Sequence, residues 1–410
     1  IVLDHHLASE VLPKCYAVVN PNRQDELGDL GHLCAAAVVF LCLVEMRRIL
    51  RLCAGESPDL LDMLDLVALA TVADVAPLVG VNRAFVRQGL KILSSRKRIG
   101  LAALSDQIKI DQELSTYHLG FLLGPRINAG GRIGKPDLGA QLLIAQDLEA
   151  AKAMAERLDQ LNFERRELEK QIKEAALEQA INQKSFESLA WAAGEAWHPG
   201  VVGIVASRLK EATNLPSIVI GFDGLIGKGS GRSISGVDLG FAIQKLVSEG
   251  LLLTAGGHKM AIALSVAREN LEKAMYRLNE IIKQKGATID SSPKVNIDTL
   301  LLPSAATLEL VELLNSAGPY GPGAKAPTFV FANMQINFFK RIGTSHLRVK
   351  FGDDTGSLDA ICFNAFDTQI GPALENHSGR SLHLCGKLDI NQWRGQRSVQ
   401  LRLEDAQFAV

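Results

Sequence analysis

The stretch Ile1-Val2-Leu3-Asp4-His5-His6 joins a short apolar β-type run to a carboxylate and two imidazoles. Open α/β sheets bind ligands at the carboxyl ends of their strands, so polar donors directly after an apolar strand predict such a sheet with a site at its edge. Carboxylate and imidazole together suit a hard or borderline divalent cation such as Mn²⁺. A parallel sheet does not normally begin with its ligand-bearing strand, and no initiator Met is present. Residue 1 is therefore expected to lie inside a domain whose first half precedes it.

The chain has 410 residues, enough for two to four folding units. Hydrophobic residues make up 47% and charged residues 22%, so each unit can build a core. Lys plus Arg is 44 and Asp plus Glu is 45, a net charge of −1. Any nucleic-acid site must then be a local patch, because the overall charge offers no general attraction. The six cysteines form no C-x-x-C pair, which argues against zinc and a disulfide framework and for reduced thiols in a cytoplasmic protein. The apolar run from Ala35 to Val44 is too short to span a bilayer, so no membrane association is expected.

Outward from the opening stretch, residues 1–143 alternate strand-like and helical runs, as in an α/β fold. Tyr16 to Val19 reads as a strand closed by Asn20-Pro21, and Gly31 to Leu50 as a long apolar helix. Asp59 to Val75 reads as a buried helix, apolar all round and stopped by Pro77, with Asp74 near its last turn. A carboxylate in an apolar run needs a partner. A capping group, an ion pair, or a cation shared with His5 would each serve. Gly124 to Gly134, with Arg126, Asn128 and Arg132, reads as a glycine-rich basic turn whose free N–H groups and guanidiniums suit a phosphate. Asp147 to Gln183 carries sustained helical periodicity, and one helix of that length would extend about 55 Å as a strut between lobes. Two shorter helices broken near Asn162 are the alternative.

Residues 187–285 read as a second α/β unit. Trp197 to Arg208 runs from a turn into a helix, and Ser217 to Ile220 is a buried strand. Ser230, Arg232 and His258 are expected in glycine-flanked turns, where a backbone or phosphate comes close. Residues 286–325 form a linker ending in a Pro/Gly cluster. From 326 to 410 six strand-like runs predict a small β-barrel. Lys340, Arg341, Arg348, Lys350, Lys387, Arg394, Arg397 and Arg402 interleave there with Phe338, Phe339, Phe351 and Trp393. Such a pattern fits single-strand binding by charge and stacking, or a solvated barrel surface with its aromatics in the core.

Asp4-His5-His6, Thr71-Val-Ala-Asp74, Gly124-Pro-Arg126-Ile-Asn128, Trp197-His198 through Ser207-Arg208, Ser230-Gly-Arg232-Ser233 and Gly256-Gly257-His258 occur in the order seen in the RecJ family of the DHH phosphoesterase superfamily. The chain resembles that family over essentially its whole length. The resemblance implies an α/β multidomain protein: a partial DHH domain at 1–143, a connector helix at 144–186, a DHH-associated domain at 187–285, a linker at 286–325 and an OB-like nucleic-acid-binding domain at 326–410. It implies a 5′-to-3′ exonuclease on single-stranded DNA, working with Mn²⁺ or Mg²⁺ at a two-metal site in repair and recombination. A single-strand-binding protein and a helicase would be its partners.

It implies His5 and Asp74 as metal ligands, with Asp4 orienting His5 and His6 lying against the reacting phosphate. Arg126, Asn128, Arg132, Ser230, Arg232 and His258 would lie along the strand, with Ser230 and Arg232 holding its 5′ phosphate across a cleft from the metal ligands. The family's upstream aspartates fall before residue 1, so the chain alone is expected to be inactive. Two departures stand out. Ala261-Ile262-Ala263 replaces Ala-Ala-Gly after the Gly-Gly-His motif, which predicts a less close approach of the strand. Leu33-Cys34-Ala35 replaces a more glycine-rich helix start. Two other readings remain: a DHH phosphodiesterase for short oligonucleotides or cyclic dinucleotides, and a non-catalytic strand-binding scaffold.

Overall fold

A computed structural model of the chain describes residues 1–54, 59–183, 186–284, 295–393 and 395–409, with the side chains of 52–54 and 393 outside the description. The Trp393 side chain and Arg394, both expected on the barrel surface, thus lie outside the described residues.

β1 (Val2–Leu3) and β2 (Val18–Val19) pair in parallel as a two-stranded sheet, which is not a hairpin. Three helices follow: α1 (Ala35–Ala54), α2 (Leu64–Ala73) and α3 (Gly80–Ser94). Their core includes Leu33, Cys34, Val38, Phe40, Leu64 and Val67. A Cβ on Gly89 of α3 would stand 2.2 Å from the Leu64 carbonyl oxygen, so glycine lets the two helices touch backbone to side. The expected helix over 59–75 is shorter than its apolar run. A 3₁₀ turn at Leu61–Met63 precedes α2, and α2 ends at Ala73, before Pro77 can stop it. Asp74 is the C-cap, Val75 turns left-handed at φ 58°, and the Ala76 N–H closes on the Thr71 carbonyl.

Next come α4 (Ile99–Gln107), α5 (Gly124–Ile133), α6 (Leu138–Ile144) and α7 (Leu148–Asn182). The stretch from 124 to 134 is a helix and not a turn. Two of its glycines pack closely: a Cβ on Gly134 would meet Leu161 Cδ1 at 2.7 Å, and one on Gly130 the Lys135 carbonyl oxygen at 3.0 Å, whereas Gly131 stands in open space. The backbone N–H groups of α5 are consequently spent within the helix and not offered to a phosphate. α7 is one unbroken helix of 35 residues, about 52 Å long. Asp147 caps it, and Asn162 is buried inside it without breaking it.

A five-stranded sheet then forms in the order β3-β4-β5-β7-β6, from β3 (Ala190–Glu195), β4 (Ser217–Asp223), β5 (Ile226–Arg232), β6 (Thr254–His258) and β7 (Ala261–Ala267). α8 (Pro199–Thr213), α9 (Leu239–Ser248) and α10 (Leu271–Gln284) complete this part. Ser230 and Arg232 lie in a strand, contrary to the expected turn, and His258 ends another. The reason is legible in the alternation of Gly227, Gly229 and Gly231. A Cβ at each would collide at 2.6–2.7 Å with Ile218, Ile220 or Ile262. Glycine every second residue makes room for that isoleucine layer and turns Lys228, Ser230 and Arg232 to the other face. The first face carries α9 and α10. The second carries α7 and α8 over Ala190, Ala192 and Val219.

The last part is β8 (Thr299–Leu300), α11 (Leu308–Ala317), β9 (Phe329–Ile342), β10 (His346–Asp353), β11 (Gly356–Cys362), α12 (Ile370–Glu375), β12 (Leu382–Trp393) and β13 (Gln396–Phe408). The order β10-β11-β13-β12-β9 closes through a β9–β10 pairing into a five-stranded barrel, with β8 added outside β9. Two of the six expected strands are one: Phe329–Phe331 and Gln335–Phe339 belong to β9, bent at the left-handed Asn333. Phe331 and Phe351 meet edge to face at 5.2 Å in the barrel core.

The chain divides into two compact units. One is Ile1–Ser94, Leu114–Leu119 and Lys294–Val410; the other is Ser95–Glu113 and Gly120–Pro293. Most of the segment 95–143, read from the sequence with the first domain, thus clusters with α7 and the five-stranded sheet. No helix among the described residues is long and apolar enough to cross a membrane.

Candidate functional site

In the first unit, β1 delivers Asp4, His5 and His6 into a tight turn. One Asp4 carboxylate oxygen accepts the backbone N–H of His5 at 2.8 Å and of His6 at 3.3 Å, and meets the His6 ring Nδ1 at 2.7 Å. The Asp4 carboxylate therefore meets the His6 ring and holds His5 only by its backbone, whereas the sequence pointed to His5 as the residue it orients. The His6 ring hydrogen bond holds the Asp4 carboxyl below the usual carboxylate range. His5 turns instead towards α2. Its Nδ1 stands 3.7 Å from Asp74 Oδ2, too far for a hydrogen bond. The His5 side chain is 19% exposed and that of Asp74 47%, so the gap between them opens to solvent on the Asp74 side.

The brace behind this pair was not legible as a site. Asn22 Nδ2 donates to the His5 carbonyl at 2.7 Å and to the Gly31 carbonyl at 2.9 Å, and Asn20 Nδ2 donates to the His6 carbonyl at 2.7 Å. Asn82 Nδ2 ties the carbonyls of His32 and Pro77, fixing the loop that follows Asp74. In the sequence Asn20-Pro21-Asn22 gives only a turn signal. Cys34, at the substituted helix start, is buried with its Sγ 3.4 Å from Thr71 Oγ1.

The His5–Asp74 pair passes a simple fit test for a divalent ion. Two donors each about 2.1 Å from one cation stand no more than about 4.2 Å apart, and 3.7 Å lies inside that limit. One imidazole and one carboxylate are also the donor types that Mn²⁺ and Mg²⁺ accept. Among the described residues no group of three or more His, Cys, Asp or Glu side chains converges on one point.

In the second unit, strand pairing places the expected phosphate residues together. Arg232 and His258 both pair with Ala261, and Ser230 and Gly256 both pair with Ala263. Directly paired residues share a face, so Arg232, Ser230 and His258 look out from the same side of the sheet. Arg232 and His258 are two strands apart, about 9.5 Å. In the neighbouring row Ala263 and Gly256 lie exposed beside Ser230, an open shelf of small residues. Ile262 points to the opposite face and is buried in the core. The departure from the Ala-Ala-Gly pattern therefore places no bulk on the shelf at Ile262, and the expected loss of close approach does not arise there.

Ser230 Oγ accepts from Arg232 Nη1 at 2.8 Å and donates to the Ile262 carbonyl at 3.2 Å, so the hydroxyl aims the guanidinium. α8 supplies the opposite wall. A Cβ on Gly203 would stand 3.2 Å from Ser230 Oγ and 3.3 Å from Arg232 Nη2. At the start of α8, capped by His198, a Cβ on Gly200 would stand 2.3 Å from the Arg132 carbonyl oxygen, and Arg132 Nη1 donates to the Gly200 carbonyl at 3.0 Å. Burial, and then the like charge of Arg132, push the Arg232 pKa down. Neither arginine has a carboxylate within ion-pair reach among the described residues. Asn128 and Arg132, four residues apart, lie exposed on one side of α5. Arg126 does not join them. Its Nε donates to Asp159 Oδ1 at 2.7 Å and its Nη1 to the Leu122 carbonyl, which ties α5 to α7.

On the barrel, pairing aligns Lys340, Arg348, Ile361, Arg402 and Lys387 as one outward row across all five strands. Arg348 and Lys387 are partly neutralised by Asp359 and Glu404. Phe338 and Phe339 are exposed, as single-strand stacking needs, whereas Phe351 is wholly buried and belongs to the core. Phe363, not singled out in the sequence, is 53% exposed, with the His346 ring at 5.3 Å and the Arg402 guanidinium at 5.9 Å.

Comparison with known proteins matches residues 186–284 to the DHHA1 domain and residues 297–405 to the RecJ OB domain. The chain is 38% identical to the single-stranded-DNA-specific exonuclease RecJ of Dickeya dadantii, over 98% of this chain and 72% of that protein. It is 36% identical to the Escherichia coli protein of the same name, over 99% of this chain and 72% of that one. Among solved structures, RecJ of Thermus thermophilus in complex with Mn²⁺ superposes with a TM-score of 0.81 at 28% identity. That match covers 98% of this chain but 57% of the Thermus chain. A Mg²⁺ complex of the same protein matches with a TM-score of 0.74 at 26% identity, over 94% of this chain and 57% of that one.

Proposed function

This chain belongs to the RecJ family of single-stranded-DNA-specific exonucleases, and from that premise we propose that it is the strand-engaging and metal-contacting part of an enzyme that degrades single-stranded DNA from a 5′ end. His5 and Asp74 would hold a divalent ion, Mn²⁺ or Mg²⁺, within a two-metal centre. When bound, such ions supply an activated water and neutralise charge on the reacting phosphate. The residues of this chain then divide the remaining work. Asp4 fixes His6 through Nδ1 and leaves Nε2 to face the phosphate, where a positioned imidazole can steady developing charge or serve the departing 3′ oxygen.

Ser230 and Arg232 would take the 5′ phosphate, with Asn128, Arg132 and His258 along the strand. Arg126 acts by holding α5 and not by touching phosphate. The basic row of the barrel, with Phe338, Phe339 and Phe363, would grip the strand by charge and stacking. A dinucleotide has no use for such a surface, which favours a longer strand over a cyclic or two-residue substrate. A single-strand-binding protein and a helicase would present the substrate during repair and recombination.

The observation that carries this reading is the aimed Arg232 guanidinium, held by Ser230 and, among the described residues, facing no carboxylate. Arg232→Ala should abolish the preference for 5′-phosphorylated over 5′-hydroxyl oligodeoxynucleotides while leaving Mn²⁺ affinity in place. Equal discrimination by both proteins would remove Arg232 from the phosphate site.

A further inference from the structure

The Pro/Gly cluster that ends the linker lies against the metal side of the first unit. Gly321-Pro322-Gly323-Ala324 is a tight turn, in which the Gly321 N–H donates to the Ala324 carbonyl at 3.0 Å and the Ala324 N–H to the Gly321 carbonyl at 3.1 Å. Pro322 and Gly323, the latter at φ 73°, are the central pair that a type II turn asks for. The turn's own bonds use the carbonyls of Gly321 and Ala324, which leaves the Pro322 carbonyl to accept the Leu78 N–H at 2.6 Å. A Cβ on Gly323 would stand 3.1 Å from both Pro77 Cβ and Val79 Cγ1, and one on Gly321 would stand 2.7 Å from Leu78 Cδ1. The turn therefore presses on residues 77–79, directly after the Asp74 cap.

The other end of this segment is fastened to α3. Arg87 donates from Nε to the Gly318 carbonyl at 3.1 Å, and from Nη2 to the Ser316 carbonyl at 3.1 Å and again to that of Gly318. Arg83 Nη2 donates to the Ala317 carbonyl. These carbonyls lie at the C-terminal end of α11, where a cation is favoured. Tyr320 is held at both ends: its hydroxyl donates to the Leu314 carbonyl at 2.6 Å, and its own carbonyl accepts Thr116 Oγ1 at 3.0 Å. Residues 316–324 thus form a strap that runs from α3 to the loop after Asp74.

Asp74 depends on such a brace. Among the described residues no donor hydrogen-bonds its carboxylate, and the His5 ring stands off at 3.7 Å. Its place is set by the backbone that follows it: the left-handed Val75, the Pro77 carbonyl held by Asn82, and the Leu78 N–H held by Pro322. We propose, on the reading of His5 and Asp74 as ligands of a divalent ion, that the 316–324 strap with Arg83 and Arg87 positions Asp74 for that ion. Pro322, Gly323 and Arg87 are positioning residues, acting through the loop and not on the ion.

The test follows Mn²⁺ uptake by the full chain from the free-ion electron paramagnetic resonance signal, at a temperature where circular dichroism shows every variant folded. Gly323→Ala drives a methyl into Pro77 and Val79 and should raise the Mn²⁺ Kd roughly tenfold. Gly343→Ala places the same methyl on the same kind of backbone, φ 60°, in the turn between β9 and β10, with nothing within 4 Å. It should lose stability as any side chain does at positive φ, yet keep the parent Kd. Arg87→Ala should also weaken uptake severalfold, and Arg87→Lys, which keeps the charge but not the fork of donors, should restore part of it. Asp74→Asn separates the two readings. If it weakens uptake while Gly323→Ala and Arg87→Ala keep the parent Kd, the ion pair stands and the strap has no positioning role. If Asp74→Asn takes up Mn²⁺ as the parent does, the ion site itself fails. Equal weakening by Gly343→Ala would mean a general loss of fold and would also overturn the positioning role. Should Gly323→Ala not fold, Arg87→Ala and Arg87→Lys decide the matter alone.

Discussion

Gly203→Ala should strengthen the fold and weaken phosphate recognition at once. Gly203 lies inside α8, where replacing glycine with alanine in a helix contributes up to about 1 kcal/mol. The added methyl would sit 3.2 Å from Ser230 Oγ and 3.3 Å from Arg232 Nη2, closer than side chains normally come. Both neighbours are side-chain ends, and the guanidinium can swing a few tenths of an ångström at little cost to stability. That swing takes Arg232 off the hydroxyl that aims it. A hydrogen bond to a charged group is worth about 1.5–3 kcal/mol, and losing the lower end of that range costs roughly tenfold in affinity. Denaturant melts of parent and variant measure the first effect. Competition between 5′-phosphorylated and 5′-hydroxyl oligothymidylates measures the second. A variant that is less stable, or that keeps the full preference for the phosphorylated end, refutes the placement of Gly203 as the open wall of the phosphate site.

Two further outcomes concern the metal side. Val75 is a β-branched residue held at φ 58° directly after Asp74, so Val75→Gly should raise stability by about 1 kcal/mol in urea titrations; no gain would mean that the left-handed turn costs nothing there. Asp4 titrates lower in the folded chain than in the unfolded one, so its bond to His6 stabilises above the ordinary carboxylate range and is lost as pH falls through the folded pKa. Asp4→Asn should therefore flatten the acid limb of a plot of urea midpoint against pH, whereas an unchanged limb would show that the carboxylate bond contributes no stability.

What the sequence made legible follows from how local each signal is. An apolar run ending in Asp4-His5-His6 needs no distant partner to be read, and α7 carries its own cap and period. The glycine-rich stretches read as turns in the sequence, yet glycine has a different use there. At Gly134, just after α5, and along β5 it marks places where a leucine of α7 or an isoleucine layer comes too close for any side chain. The period-two spacing of Gly227, Gly229 and Gly231 was the available signal for a strand. Asn20, Asn22 and Asn82 brace the backbone around His5 and Asp74 through bonds that span up to fifty residues of chain, and no local pattern reports those. Phe351 and Phe363 show the same limit on the barrel. Both are aromatics in strand-like runs, and only the closure of the sheet decides which one faces solvent.

The measurement closest to the central claim is titration of the chain with Mn²⁺, followed by the loss of the free-ion electron paramagnetic resonance signal. The account predicts saturable uptake that Asp74→Asn and His5→Ala each weaken by at least roughly tenfold, with Arg232→Ala unchanged. Uptake that is equal in the parent chain and in both ligand variants would contradict it.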